Sequence, residues 1–398
     1  MTESVGRRNV GTIDDLHESA MRTTGLDDFG DDAYLEPLGV LLDSYANEAG
    51  LTELGSKMFR YFLKGALIAR LMSEASWRAT PSYADVEITR PIFVTGLPRT
   101  GTTALHRLLA ADPAHQGLEM WLTEFPQPRP PREQWASNPV YQQIDAGIAQ
   151  HHVENPEFMG LHYLDAGEVE ECWQLLRQSI MSISYESLAY VPTYSRWLAE
   201  QDWTPAYARH RRNLQMIGSN DPGKRWVLKN PSHLFALDAL MAVYPDALVI
   251  QTHRAPETII ASMCSLAEHA TPGWSTVFVG DTIGRTQLDL WSRECTNSRR
   301  RVRNTTRRSF STSTSTTSGQ IRSGPSNVCM RRWARRSPER RVPRWSPSMR
   351  RVHQAHVGRT IGTTCRITDS RRRRSPRRSR VGAWQHPKGD VPPRVFDG

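Results

Sequence analysis

Gly96 and Gly101 bracket the run Leu97-Pro98-Arg99-Thr100, and two hydroxyl residues, Thr102 and Thr103, follow at once. Glycines at this spacing let the backbone turn tightly, so that successive N–H groups face a common centre. One guanidinium and two hydroxyls on such a turn suit an anion of the phosphate or sulfate class. The preceding Pro91-Ile-Phe-Val-Thr95 reads as a short apolar strand, and Ala104-Leu-His-Arg-Leu-Leu-Ala-Ala111 has the apolar spacing of a helix. A helix beginning there adds its partial positive charge to the same centre.

The loop differs from that of nucleotide triphosphatases, G-x-x-x-x-G-K-[ST], in one decisive residue: Thr102 stands where the lysine belongs, and the cation is Arg99. Without that lysine, phosphoryl transfer from a triphosphate loses the group that reaches the β- and γ-phosphates. Pro98-Arg99-Thr100-Gly101-Thr102-Thr103 resembles instead the first signature of the sulfotransferase family, P-[KR]-[ST]-G-T-T. That resemblance implies 3′-phosphoadenosine 5′-phosphosulfate (PAPS) as donor, bound by Pro98 through Thr103, and no metal. Cytosolic members carry an aromatic residue directly after the second threonine, where Ala104 stands here, so contacts to adenine must come from elsewhere.

Two further segments extend the likeness. Ala247-Leu-Val-Ile-Gln-Thr-His-Arg254 is an apolar strand ending in a cation, and Ser262 follows on the next helix, matching the family's arginine and serine that clasp the donor's 3′-phosphate. A guanidinium forks onto phosphate oxygens while the hydroxyl donates from the side. Trp226-Val-Leu-Lys229-Asn-Pro resembles the family's W-V-x-K-x-P, in which the lysine faces the transferred group. Lys229, with Arg99, is therefore the candidate for stabilising charge on the bridging oxygen.

The acceptor's proton needs a base, and two residues compete for the role. Glu119 sits where some branches of the family place a catalytic glutamate, whereas His162 would correspond to the histidine base of cytosolic members. Glu170, Glu171 and the Cys172-Trp-Gln-Leu-Leu helix read as structural. Trp121, Phe158, Met159, Tyr163 and Trp173 could line an acceptor pocket, or simply fill core. Their number favours a lipid, sterol or phenol acceptor over a sugar, with Pro126 to Pro131 as a rigid rim.

Strands at Ile92–Val94, Trp226–Leu228 and Leu248–Ile250, separated by helices, predict a three-layer α/β fold with a P-loop NTPase-like parallel sheet. Residues 1–90 read as a helical N-terminal region: Asp14-Asp15 open one helix, and Leu35 to Ala49 and Leu54 to Glu74 show helical spacing. Residues 91–294 form the expected α/β core. Neither a signal peptide nor an 18-residue apolar run is seen, which predicts a cytoplasmic protein with no transmembrane segment. The five cysteines lack metal-type spacing, and disulfides are not expected.

The net charge of +10 invites a nucleic-acid reading, but it averages two unlike compositions. Residues 1–294 hold 24 Lys and Arg against 37 Asp and Glu; residues 295–398 hold 27 against 4, with no Leu and no Tyr. Such a tail cannot close a core and is expected to be disordered. It could hold polyanions through counterion release, without specificity for a nucleic acid. The genetic code offers another account. Taking the third base of each codon with the first two of the next, Cys295 to Ser318 admits Y-E-F-A-A-A-R-A-K-Y-D-P-A-Q-F-F-D-V-D-V-D-Y-F, and the same offset restores family-like segments from Gln320 to Ala334 and from Gly358 to Ser370. These strings resemble the aspartate-rich strand, D-P turn and helix of the family's C-terminal part. The reading is a one-base deletion near codons 293 to 296, which leaves the core incomplete and donor binding weakened.

Two rivals stand beside the sulfotransferase reading: a P-loop kinase acting on a small molecule, and a polyanion-binding protein working through the tail.

Overall fold

The structure, a computed structural model, describes residues 9–154, 164–304 and 310–314, with side chains as far as Arg293. Three helices come first: α1 (Ile13–Thr24), α2 (Leu35–Asn47) and α3 (Glu53–Ala79). The Thr12 hydroxyl accepts from the Asp15 N–H and the Asp15 carboxylate accepts from the Thr12 N–H, so α1 opens on a reciprocal cap. It ends at Gly25, whose φ of 68° a side chain would resist. The Thr52 hydroxyl caps α3, accepting from the Gly55 N–H.

Next come β1 (Ile92–Gly96), α4 (Thr102–Ala110), β2 (His115–Gln116), α5 (Met120–Glu124), α6 (Pro139–Glu154) and α7 (Trp173–Leu176). They are followed by α8 (Ser184–Ser187), α9 (Pro192–Glu200), α10 (Thr204–Ile217) and β3 (Arg225–Lys229). The chain continues with α11 (Leu237–Val243), β4 (Leu248–His253), α12 (Pro256–Ala270), α13 (Asp281–Asn304) and β5 (Phe310–Thr314).

The strands form one parallel sheet in the order β2-β3-β1-β4-β5, with Ile92 opposite both Val227 and Leu248. Alternation along β1 and β3 sorts side chains onto two faces. Ile92, Val94 and Val227 pack with Leu105 and Leu109 of α4, while Phe93, Trp226 and Leu228 join the large cluster that takes in α10 and α11. This is the predicted three-layer α/β arrangement. After β1 the chain moves to one side of the sheet and after β3 to the other, so the carboxyl end of β1 is a topological switch point, where such sheets bind ligands.

The N-terminal helices share this core. Arg70 of α3, 1% exposed, donates to the carbonyls of Phe29, Asp31 and Gln178, and Arg209 of α10 pairs with Glu74 at 2.6 Å. Buried charges held on several partners cost much to strand, and they pin α3 to the α/β layers. At the other end, α13 continues through the change of composition at residue 295. Of the basic tail, the backbone of Phe310–Thr314 runs beside β4 in parallel, with Ile250 opposite Ser311. Residues 315–398 lie outside the described residues. Among the described residues, no helix is long and apolar enough to cross a membrane.

Candidate active site

The loop between β1 and α4 is held open from beneath. Gly96 has φ 141°, and a Cβ there would come within 2.5 Å of both the carbonyl and the hydroxyl of Thr252 on β4. Thr100 fastens the turn from inside, donating to the Leu97 carbonyl at 2.7 Å and lying 2.5 Å from the Thr252 hydroxyl. Gly101, with φ 91°, stands at the N-cap of α4 and brings no side chain to cap it. The first N–H groups of α4 have no acceptor within the helix and remain available to a ligand. A phosphate-sized anion fits this cradle on the strength of that geometry.

Lys229, at the end of β3, reaches the same place. Its side chain is 3% exposed, its Nζ lies 3.4 Å from the Thr103 hydroxyl, and it forms an ion pair with Glu171. The Cys172 N–H donates to the Lys229 carbonyl at 3.0 Å, and the Asn230 N–H donates to the Val94 carbonyl at 3.2 Å. The peptide unit that follows Lys229 is therefore tied on both sides, by its N–H to the strand of the loop and by its carbonyl to the residue after Glu171. Behind them His106 of α4 is fully buried, and burial first, then the Lys229 charge, pushes its pKa down to about 3. It stays neutral, a packing residue rather than a proton carrier.

Arg254 and Ser262 approach from the other side. Arg254 follows β4 directly, and its Nη1 donates to the carbonyl of Arg99 at 3.1 Å. Ser262, on α12, accepts from Arg99 Nε at 3.1 Å. Burial, and then the neighbouring Arg254 charge, lower the pKa of Arg99, so two cations crowd one spot. Pro98 through Thr103, Arg254, Ser262 and Lys229 are thus brought together at one end of the sheet.

The expected bases fare differently. Glu119 lies just before α5 and is held by Arg129, whose Nε and Nη2 are 3.0 and 2.9 Å from Glu119 Oε2. Arg129 is itself shared with Gln116, Asp221 and the Gly117 carbonyl. Burial raises the Glu119 pKa against the pull of Arg129. Together Glu119 and Arg129 wall a cavity of about 550 Å³ with Gln116, Pro131, Trp135 and Lys224. Pro130 and Pro131 line it, but Lys229, Arg99 and Arg254 do not. His162, with Phe158, Met159 and Tyr163, lies outside the described residues. Trp121 is fully buried against Trp135 and Tyr141, hence core, whereas Trp173 is half-buried beside Arg177.

The residue that sequence reasoning passed over is Glu171. Read with Glu170 as a structural pair, it presents its carboxylate to Lys229. Its one signal is an acid kept at the border of the Cys172 to Leu176 run, buried but for Trp173.

Comparison with known proteins accords with this geometry. Residues 91–338 match the sulfotransferase family. The omega-hydroxy-beta-dihydromenaquinone-9 sulfotransferase Stf3 of Mycobacterium bovis, and that of Mycobacterium tuberculosis, are each 26% identical to this chain over 192 residues, 44% of this chain and 45% of theirs. The chain thus matches about half the length of these curated relatives. The crystal structure of sulfotransferase STF1 from Mycobacterium tuberculosis superposes with a TM-score of 0.75 at 56% identity, covering 91% of this chain and 92% of that one. Sulfotransferase STF9 from Mycobacterium avium shares the fold, with a TM-score of 0.68 at 22% identity over 90% of this chain and 98% of that one.

Proposed function

Because the chain belongs to the sulfotransferase family, we propose that it transfers a sulfuryl group from PAPS to a hydroxyl on an apolar, lipid-type acceptor. The observation that carries this reading is the convergence of Lys229, Thr103 and Glu171 at the mouth of the loop. The lipid acceptor is suggested by the relatives named for a menaquinone-derived substrate.

In this reading the loop N–H groups and Thr102 and Thr103 bind the donor's phosphosulfate, and Arg254 and Ser262 bind its 3′-phosphate. Glu171 takes the proton of the acceptor hydroxyl while the acceptor oxygen bonds to sulfur. The bond from sulfur to the bridging oxygen breaks, and Lys229 meets the charge that gathers on that oxygen. The products are a sulfate ester and adenosine 3′,5′-bisphosphate. We assign the base to Glu171 rather than Glu119, because Glu119 is bonded to Arg129 and lines a different cavity. The family that matches residues 91–338 favours this reading over the kinase one.

The tail is read as out of frame. Packing that looks selected persists to Arg293, whose guanidinium pairs with buried Glu186 at 2.6 Å and donates to the Ser195 carbonyl at 3.0 Å. Two residues later the composition changes. The described strand β5 covers codons whose shifted reading is F-D-V-D-V, an alternation suited to a strand. Sequencing the locus tests this, and stop codons scattered through the shifted frame would sink it.

Donor-dependent transfer of labelled sulfate, run with the chain as encoded and with the frame restored, tests the activity. Transfer to a hydroxylated isoprenoid lipid well above that to phenol or sugar is expected. Failure of the restored chain to label any acceptor contradicts the reading, and magnesium-dependent ATP turnover lost on changing Thr103 would favour a kinase.

A further inference from the structure

One face of α3 combines exposed apolar and basic side chains. Leu54, Lys57, Tyr61 and Lys64 recur at helical spacing, and ten residues at about 1.5 Å each make the stripe about 15 Å long. Leu54 is 48% and Tyr61 68% exposed, while Lys57 is exposed and Lys64 half-buried. Glu53 is the one acid on this stretch, and Arg60 is engaged by the carbonyls of Val10 and Asp15. Among the described residues neither Lys57 nor Lys64 pairs with a carboxylate. The loop before α13 packs on the start of the helix, where the Thr52 N–H donates to the Trp274 carbonyl at 2.9 Å, and it adds exposed Val279. We infer that this face docks on an anionic lipid bilayer, with Leu54, Tyr61 and Val279 entering the interface and Lys57 and Lys64 meeting lipid phosphates. This rests on the lipid-acceptor reading above.

Charge and position name the partner. Residues 1–294 carry 24 Lys and Arg against 37 Asp and Glu, so an anionic surface repels most of the body and a local cationic stripe decides which side can approach. Lysine heads reach phosphates while their stems stay with apolar neighbours, and a tyrosine ring sits well in the headgroup layer. Lysine is depleted from protein–protein interfaces, so the same stripe suits a protein partner poorly. The stripe also points toward the transfer site. Arg177 Nη1 comes 3.9 Å from where a Cβ on Gly65 would stand, one turn beyond Tyr61. The Arg177 guanidinium pairs with Glu124 at 2.7 Å and lies 5.5 Å from the ring centre of Trp173, two residues beyond Glu171. A lipid leaving the bilayer at that end emerges on the Glu171 side of the fold.

Photo-crosslinking in the full chain as encoded identifies the face that meets lipid. Benzoylphenylalanine replaces Tyr61 or, as a control, Leu108 of α4, which is 73% exposed. The chain is illuminated with vesicles of phosphatidylcholine and phosphatidylglycerol. The basic tail holds either version to the vesicles, so the yield of lipid adduct reports orientation. Adducts at position 61 about fivefold or more above those at position 108 are expected, as for a side chain seated in the interface. Equal or lower yield overturns the inference. Flotation of the frame-restored chain with the same vesicles measures the strength of docking. Lys57→Gln/Lys64→Gln should weaken it about thirtyfold, near fivefold per lysine, and Leu54→Ser/Tyr61→Ser about tenfold. Melting checks that these surface changes leave the fold intact, and unchanged flotation in both variants also overturns the inference. Both variants should transfer sulfate to detergent-dispersed lipid as fast as the unaltered chain and lose transfer to lipid embedded in vesicles. A chain that crosslinks at position 61 yet labels no lipid acceptor sinks the acceptor reading alone.

Discussion

Exchanging Lys229 for methionine separates what the Lys229–Glu171 pair does for stability from what it does for transfer. The lysine side chain is 3% exposed and that of Glu171 17%. Removing one partner of a fully buried pair costs about 3–5 kcal/mol, because the other charge is stranded. Glu171 retains some access to water, so the cost here should be nearer ~2 kcal/mol. For a folded body of nearly 300 residues that lowers the melting temperature by roughly 3–4 °C. Lys229→Met/Glu171→Gln removes both charges and should melt within about 2 °C of wild type, since a neutral replacement of a buried pair is close to free. Transfer should behave otherwise. Losing a cation aimed at developing charge slows the chemical step about 10²–10³-fold, and losing the base costs about 10²–10⁴-fold. The double variant therefore regains stability and regains no activity. Thermal melts and single-turnover transfer on the frame-restored chain read out the two effects. Recovery of the rate in the double variant would refute the catalytic assignment. So would a Glu171→Gln enzyme within about fivefold of wild type, with its pH dependence unchanged.

Acid should weaken the fold in a defined window. His106, His210 and His233 are fully buried and their pKa values are lowered chiefly by desolvation, the first two to about 3. The unfolded chain binds protons near pH 6.5 that the folded chain refuses, so stability is complete above that value and is lost as pH falls toward 3. The slope is about 1.4 kcal/mol per pH unit for each histidine; denaturant midpoints between pH 7 and 4 check it, and a flat profile counts against it. Gly96→Ala should cost about 1–3 kcal/mol and weaken bisphosphate nucleotide binding, because its Cβ would meet backbone and hydroxyl of Thr252; titration and melting measure both. Arg129→Met, which strands buried Glu119 while Asp221 keeps Lys224, should destabilise by about 3 kcal/mol. Glu119→Gln should leave transfer within about threefold, and a loss near that of Glu171→Gln would restore Glu119 as the base.

What could be read along the chain differs in kind from what could not. The loop, its strand and its helix are contiguous, so glycine spacing and apolar period were enough to find them. The same holds for β3, β4 and the N-terminal helices, whose boundaries follow local caps and alternation. Glu171 and Glu119 illustrate the other kind. Both are acids near apolar residues, and nothing within ten residues of Glu171 announces Lys229, which lies 58 positions further on. Their fates are decided by a short antiparallel bridge between Glu119 and Val169, which draws residues 166–170 along residues 118–121 and brings Glu171 up to the end of β3. Glu119, on the other strand of that bridge, meets Arg129 returning from the proline-rich turn. One carboxylate is thereby neutralised in a wall and the other is delivered to the loop. The proposal of Glu171 rather than Glu119 as base thus rests on a pairing whose partners lie 50 residues apart, a separation at which residue type and spacing carry no information.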